Sequence, residues 1–200
     1  VTINVGGETK TLAAGDKVTA AEYVAAKQVL VNGGQQVTVD GSGKAVGGNV
    51  DLSAMSDKSL KVGDLSIGQN VTAYGDFGKG GDVKITGDFT NSGEVVAFSS
   101  KNNVPNAAIR ADNITNNAGA IITTQLTAGA KELGGVDRKL GLTLDAANNL
   151  SNFGTINSAG DLTLSAGNSL TNSGTITAQK DVNVLSPNVV NSGNVESISS

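Results

Sequence analysis

With no His and no Cys among 200 residues, this chain has only carboxylates, hydroxyls, amides and a few amines with which to do chemistry. A Ser-His-Asp arrangement and an imidazole base are both excluded, as are thiolate metal sites and a disulfide framework. Paired carboxylates remain, and the reaction they suit is glycoside hydrolysis, which needs the two groups about 5–9.5 Å apart. Two pairs have a suggestive spacing. Asp82 and Asp88 could lie on successive strands, and Asp161 and Asp181 stand twenty residues apart at one repeat offset. Both pairs sit just before strand starts, where Asp ordinarily caps a turn, so the reading is of turn residues and not of an enzyme. Calcium is supported no better: Gly80-Gly81-Asp82 lacks the rest of the Gly-Gly-x-Gly-x-Asp nonapeptide, and Asp40–Gly43 lacks the further carboxylates of a calcium loop. No cofactor or metal is expected.

Binding is a second possibility. Sugar sites recruit exposed aromatic rings, and Tyr23, Tyr74, Phe77, Phe98 and Phe153 are the candidates once Phe89 is assigned to the interior. Phe153 is the most distinctive, because Ser173 and Ser192 hold its place in sister copies of the same motif; it is expected to fold over the turn of the next coil. Lys131, Arg138 and Lys139 form a small basic group in a segment that reads as a protruding loop. A face of Thr-x-Thr rows would suit ice, but only Thr175-Ile-Thr177 qualifies.

The elements that must hold these residues are written in the repeats. Asn-x-Gly cores start at Asn152, Asn172 and Asn191, steps of 20 and 19 residues. A fixed period near twenty marks a solenoid whose units bury their apolar faces on one another. Within each unit, Leu142-Thr-Leu144, Leu162-Thr-Leu164 and Val182-Asn-Val184 alternate as half-buried strands do. Leu150, Leu170 and Val190 then fall at equal offsets, as do Ile156, Ile176 and, one residue early, Val195. No unit carries a ten-residue apolar stripe of helical period. Three short strands per coil, joined by Asn- and Gly-bearing turns, predict an all-β chain: a parallel β-helix of about ten coils, a rod of ~50 Å at ~4.8 Å per coil. Asn148, Asn168 and Asn188 recur as well, and stacked Asn side chains can bond along such a ladder.

The organisation predicted from this is a 1–60 irregular N-terminal part, with one short helix and a hairpin packed on the rod, followed by coils over 61–200. Thr19-x-x-Glu22 is a capping box opening a helix from about Ala20 to Gln28, the only helix expected. Val29–Val31 and Gln36–Val39 flank a hairpin turn at Asn32-Gly33-Gly34. Val83, Ile85, Phe89 and Val95 take the places of Leu142, Leu144, Leu150 and Ile156, and "NITNNAGAIITT" is a second degenerate copy. Loops are expected at 99–108 and 128–139, where insertions commonly carry binding.

Composition bounds the partners. A net charge of −4 and a pI near 4.7 argue against nucleic acid, which needs a basic stripe. No apolar run approaches eighteen residues, so membrane insertion is not expected. The absence of Cys suits export in an unfolded state, and Val1, with no leader behind it, suggests a piece of something longer.

The tandem "NNLSNFGTINSAGDLTLSAGNSLTNSGTITA" closely resembles the haemagglutinin-type repeats of filamentous haemagglutinin-like exoproteins of bacterial two-partner secretion systems. "VTAAEYVAAKQVLVNGGQQVTVDGSGKAVGGNVDL", Val18 to Leu52, resembles a segment common in large surface proteins of that kind; together the two cover about a third of the chain. The resemblance implies a right-handed parallel β-helix and export from a Gram-negative cell through an outer-membrane transporter partner. It also implies a secreted or cell-surface location and attachment to a host-cell glycan or protein or to biofilm polysaccharide. The Asn-Pro-Asn motifs of the family's secretion domain are absent, since Pro105 and Pro187 stand in "VPN" and "SPN"; the segment therefore reads as shaft. The alternatives are a β-helical polysaccharide lyase or hydrolase and a passive spacer holding a distal tip.

Overall fold

A computed structural model describes residues 2–13, 15–19, 22, 25, 26, 38, 39, 50, 51, 63–78 and 83–199. The chain is mostly β, and three sheets built only from parallel pairings dominate it. The first sheet has five strands: Val83–Lys84, Asn106–Ala111, Gly141–Ala146, Leu162–Ala166 and Val182–Leu185. The second has seven: Lys17–Thr19, Asp64–Ile67, Phe89–Asn91, Ile114–Asn116, Asn149–Asn152, Ser169–Asn172 and Val189–Asn191. The third also has seven: Val50–Asp51, Thr72–Asp76, Glu94–Phe98, Ile121–Thr123, Thr155–Ser158, Thr175–Ala178 and Asn194–Ser197. From Val83 onward each pass of the chain contributes one strand to the first, second and third sheets in turn, then begins again beside itself.

Period-two alternation explains the interior. Leu142 pairs with Leu162 and Leu162 with Val182, Leu144 with Leu164 and Leu164 with Val184, and Ile156 with Ile176 and Ile176 with Val195. Every Leu and Ile in these stacks is fully buried, so aliphatic side chains touch their equivalents one pass away. The last pass is uncovered: Leu185, Val189, Val190 and Val195 are exposed.

Register departs from the expected one in two places. Val189, not Val190, pairs with Leu170, because the last repeat step is nineteen residues and the turn before it absorbs the missing one. Val83 aligns through Ile109 with Leu144 instead of Leu142. The two-residue slip keeps the same face inward, since side chains alternate with period two, and Ile85 then donates its N–H to Arg110 O (2.9 Å). Phe89 and Val95 sit in the stacks of Leu150 and Ile156 as expected.

The Asn of each Asn-x-Gly core is not in a left-handed turn. Among the described residues only Asn70 combines a side chain with positive φ. The Asn side chains that close the second-sheet strands, Asn116 among them although no Gly follows it at the second position, point inward and bond end to end. Nδ2 of Asn91 donates to Oδ1 of Asn116 (2.9 Å), Asn116 to Asn152, Asn152 to Asn172, and Asn172 to Asn191 (2.8 Å each). Each Nδ2 also reaches a main-chain carbonyl one pass on: Ile121, Thr155, Thr175 and Asn194 (3.0–3.2 Å). Asn91, Asn116, Asn152 and Asn172 are 0 % exposed, so the ladder satisfies its polar groups internally, as burial demands. The Gly two residues later is required by crowding: a Cβ on Gly174 would lie 2.1 Å from Gly154 O.

The first sixty residues do more than pack beside the repeats, because Lys17–Thr19 and Val50–Asp51 end the second and third sheets. Ahead of them, Thr2–Val5 and Glu8–Thr11 form a hairpin whose turn residues Gly6 and Gly7 both have positive φ, the conformation that tight hairpin turns demand. The expected capping box is present: Thr19 N–H donates to Glu22 Oε2 (2.9 Å) and Glu22 N–H to Thr19 Oγ1 (3.2 Å), with Ala25 and Ala26 helical behind it. Ile3, Leu12, Ala25 and Ala26 close over this end of the core. The rest of the predicted helix, most of the 29–39 hairpin and the turn at Asp40 lie outside the described residues.

Both predicted loops are narrower than expected. The 99–108 loop ends at Pro105, because Asn106 already pairs with Gly141. The 128–139 loop contains a second helix, Ala128–Glu132, capped by Thr127 Oγ1 accepting from Ala130 N–H (3.2 Å). Its Ala130 packs on Val96 and Phe98, with Tyr74 and Leu126 beside them. Val95 and Ala97 point into the core, so Val96 and Phe98 necessarily face outward. The insertion covers the apolar patch they would otherwise expose.

Candidate binding surfaces

In the second sheet the residue between two inward-facing ones points to solvent, and in six successive strands it carries a hydroxyl. Thr19 pairs with Ser66, Ser66 with Thr90, Thr90 with Thr115, Thr115 with Ser151 and Ser151 with Thr171. At the ordinary strand spacing of ~4.8 Å the row spans about 24 Å. Beside it runs a chain of exposed and half-exposed polar groups. Asp64 Oδ1 accepts from Asp88 N–H (2.9 Å), Asp88 Oδ1 from Asn113 Nδ2 (2.8 Å), Asn113 Oδ1 from Asn149 Nδ2 (3.1 Å) and Asn149 Oδ1 from Asn168 Nδ2 (2.9 Å). In this relay Asn168 reaches Asn149 Oδ1 and not the side chain of Asn148, its expected partner, and Asn188 donates to the main-chain Asn168 O (2.9 Å) and not to its carboxamide.

Where the row meets the N-terminal cap, a groove of about 380 Å³ opens over Thr19, Ser66 and Thr90. Two ion pairs line it, Lys10 with Glu22 (2.8 Å) and Lys17 with Asp64 (3.0 Å), and Asp88 adds a carboxylate that accepts from Asn113 Nδ2 (2.8 Å). The Asp88 amide and then the Lys17 ammonium hold the Asp64 carboxyl below its ordinary value. Its hydrogen bond to Asp64, and then that carboxylate's charge, hold Lys17 above its own. The surface is thus a regular row of hydroxyls beside a relay of carboxamides and two carboxylates, ending in a polar groove whose lining holds three carboxylates and two ammonium groups.

The residues singled out in the sequence are dispersed. Phe153 is 45 % exposed at the corner after Asn152, and its register equivalents are Ser173 and Ser192. Lys131 lies exposed on the Ala128–Glu132 helix and Lys139 is exposed beyond it. Arg138 is turned to an internal task, with Nη1 donating to Asn102 O, while Val136 N–H donates to Ser99 O (2.9 Å); together they bind the two insertions to each other. None of the four lines the groove. Of the other aromatic candidates, Phe77 and Phe98 are buried. Tyr74 lies against the insertion helix, and burial, then Glu94 and Glu132, raise its hydroxyl pKa; Tyr23 is outside the described residues. Asp161 and Asp181 are exposed and adjacent, Asp181 N–H donating to Asp161 Oδ1 (3.3 Å), and Asp82 is outside the described residues.

The hydroxyl row escaped the sequence reading, although a signal for it exists. Phe89-Thr-Asn, Ile114-Thr-Asn, Leu150-Ser-Asn and Leu170-Thr-Asn repeat one pattern: apolar in, hydroxyl out, amide in.

Comparison with family models, with curated proteins and with solved structures returns no match. Among the described residues no helix is long and apolar enough to cross a membrane.

Proposed function

We propose that the chain is a right-handed parallel β-helix from the shaft of a secreted or cell-surface bacterial adhesin. On this reading the second-sheet face attaches to host glycan or biofilm polysaccharide. Parallel strands visiting three sheets in a fixed order suit such a coil, and right-handed crossover between parallel strands is the strongly preferred hand. The observation that carries the adhesive reading is the row from Thr19 to Thr171, six hydroxyls in register. One pyranose unit is about as long as the strand spacing of ~4.8 Å, so an extended chain of sugars laid along the row meets a hydroxyl at each unit. Each contact is weak, and repetition supplies the strength. The resemblance of the repeats to filamentous haemagglutinin-like exoproteins supports export through a two-partner transporter.

The test is a solid-phase screen of the purified chain on host and bacterial polysaccharides, with release of reducing ends or unsaturated sugars measured in parallel. Attachment without release, weakened at least tenfold in a Thr115→Glu/Ser151→Glu/Thr171→Glu variant, is expected. Product release abolished by changing Asp161 and Asp181 would overturn the reading in favour of a polysaccharide-active enzyme. Failure to bind anything, with adhesion of a longer parent unaffected by exchange of these repeats, would leave a spacer.

A further inference from the structure

Corners between the second and third sheets come in two lengths. Asn91 to Glu94, Asn152 to Thr155 and Asn172 to Thr175 are each bridged by two residues. Ile67 to Thr72 and Asn116 to Ile121 are bridged by four. Each long corner is a closed turn, Val71 N–H donating to Gly68 O (3.2 Å) and Ala120 N–H to Asn117 O (3.0 Å). Each has positive φ at its third residue, Asn70 (61°) and Gly119 (79°), which a type II turn requires. The two long corners belong to passes on either side of the short Ser92-Gly93 corner. Two projections therefore flank a recess, and between them lies a notch of about 390 Å³.

The notch holds the groups that sugar recognition uses. Gln69 and Asn70 form one wall, Ala118 the other, and Ser92, Glu94 and Ile121 the base. Ser92 Oγ is held by Asn117 Nδ2 (2.8 Å), and Thr72 Oγ1 donates to Glu94 Oε2 (3.4 Å). Among the described residues no hydrogen bond occupies the Gln69 and Asn70 carboxamides. Ile121 is 37 % exposed and offers an apolar seat for the C–H face of a ring. Glu94 is the single charged side chain among the lining residues, which disfavours anionic ligands. The volume lies at the small end of ligand sites.

We propose that this notch binds one neutral pyranose unit of a glycan, its C–H face on Ile121 and its hydroxyls on Glu94, Ser92 and the two carboxamides. The proposal refines the adhesive reading and rests on it for the class of ligand, but its site is separate from the hydroxyl row.

The experiment titrates the 200-residue chain by amide NMR with glucose, galactose, mannose and N-acetylglucosamine, with glucuronate as the charged counterpart. Saturable shifts at Ser92, Glu94 and Ala118 with at least one neutral sugar, and weaker ones with glucuronate, are expected. Deleting Gln69 and Asn70 converts the long corner to the two-residue length used elsewhere; unchanged signals from Leu144 and Leu164 would confirm the fold, and affinity should fall at least tenfold. Ala118→Trp, at an exposed position, fills the notch without shortening the turn and should have the same effect. A Lys180→Gln substitution, exposed and outside the notch, should leave monosaccharide binding unchanged. No binding by any neutral sugar, preference for glucuronate, or wild-type affinity in either notch variant overturns the proposal. Polysaccharide attachment that persists while no monosaccharide binds refutes the notch and leaves the adhesive face standing.

Discussion

Replacing Asn152 tests whether the buried amide chain is a principal stabiliser of the stacked passes. Its Nδ2 donates to Asn172 Oδ1, Gly154 O and Thr175 O, and its Oδ1 accepts from Asn116 Nδ2, all with the residue 0 % exposed. In Asn152→Ala, Asn172 Oδ1 loses its donor inside the protein, at a cost of about 1–3 kcal/mol for an unpaired buried group. Asn116 Nδ2 keeps Thr155 O (3.1 Å), so its loss is about 1 kcal/mol, that of one net hydrogen bond. The space left by the carboxamide adds about 1 kcal/mol, for a total of about 3–5 kcal/mol. Asn191→Ala is the control, because it ends the same chain at an exposed position and should cost less than about 1 kcal/mol. Asn152→Asp sharpens the test: its second oxygen would face only acceptors, so the folded state would favour the protonated acid. That raises the folded pKa, and stability should be greatest below the ordinary carboxylate range and fall as pH rises through it. Urea denaturation of the three variants at pH 4 and pH 7 supplies every quantity. Equal midpoints for Asn152→Ala and Asn191→Ala, or an Asn152→Asp variant that gains stability toward neutral pH, would refute the buried ladder.

Leu170→Asp places an unpaired charge in the stack between Leu150 and Val189, where Leu170 is 2 % exposed; a loss of at least ~3 kcal/mol is expected by denaturation, and melting within two degrees of the parent would sink the stacking. Gly174→Ala drives a Cβ to 2.1 Å from Gly154 O and should cost about 1–3 kcal/mol, whereas Gly119→Ala meets no neighbour and pays only for its φ of 79°, about 1 kcal/mol; the reverse order would mean that conformation, not crowding, selects the corner glycines. Asp64 has a lowered pKa in the fold, so its contribution is complete above the ordinary carboxylate range and disappears as pH falls through the depressed value; Asp64→Asn should flatten that part of the stability–pH curve, and an unchanged curve would show the Lys17 and Asp88 contacts to be idle.

What was legible in the sequence is what repeats with period two and period twenty. The stacks of Leu142, Leu144, Leu150 and Ile156 follow from alternation and spacing alone, and the capping box at Thr19 from local chemistry. The slip of Val83 was not legible, because moving a strand by two residues leaves its pattern of inward and outward side chains unchanged. The Ala128–Glu132 helix is too short to show a period; its reason lies in Val96 and Phe98, thirty residues upstream and facing outward. Asn-x-Gly was read as turn chemistry, while the structure uses the Asn for burial and the Gly for close approach. Both demands come from the neighbouring pass, which a single repeat does not display. Of the surface, Phe153, Lys131, Arg138 and Lys139 were chosen by residue type. The hydroxyl row and the notch arise from register and from unequal corner lengths, which appear only when successive passes are aligned.

The amide chain runs one way, every Nδ2 reaching toward the later pass, and the sheet hydrogen bonds likewise join pass to pass. A tension applied along the stack therefore loads these bonds one layer at a time. Each layer that peels off removes ~4.8 Å of stacked length but frees about twenty residues, some 65–70 Å of extended chain. Such a tether lengthens in steps under load, absorbing work with each step while the layers beneath stay intact, and a released layer can re-seat when the tension drops because its partner amides are still in place.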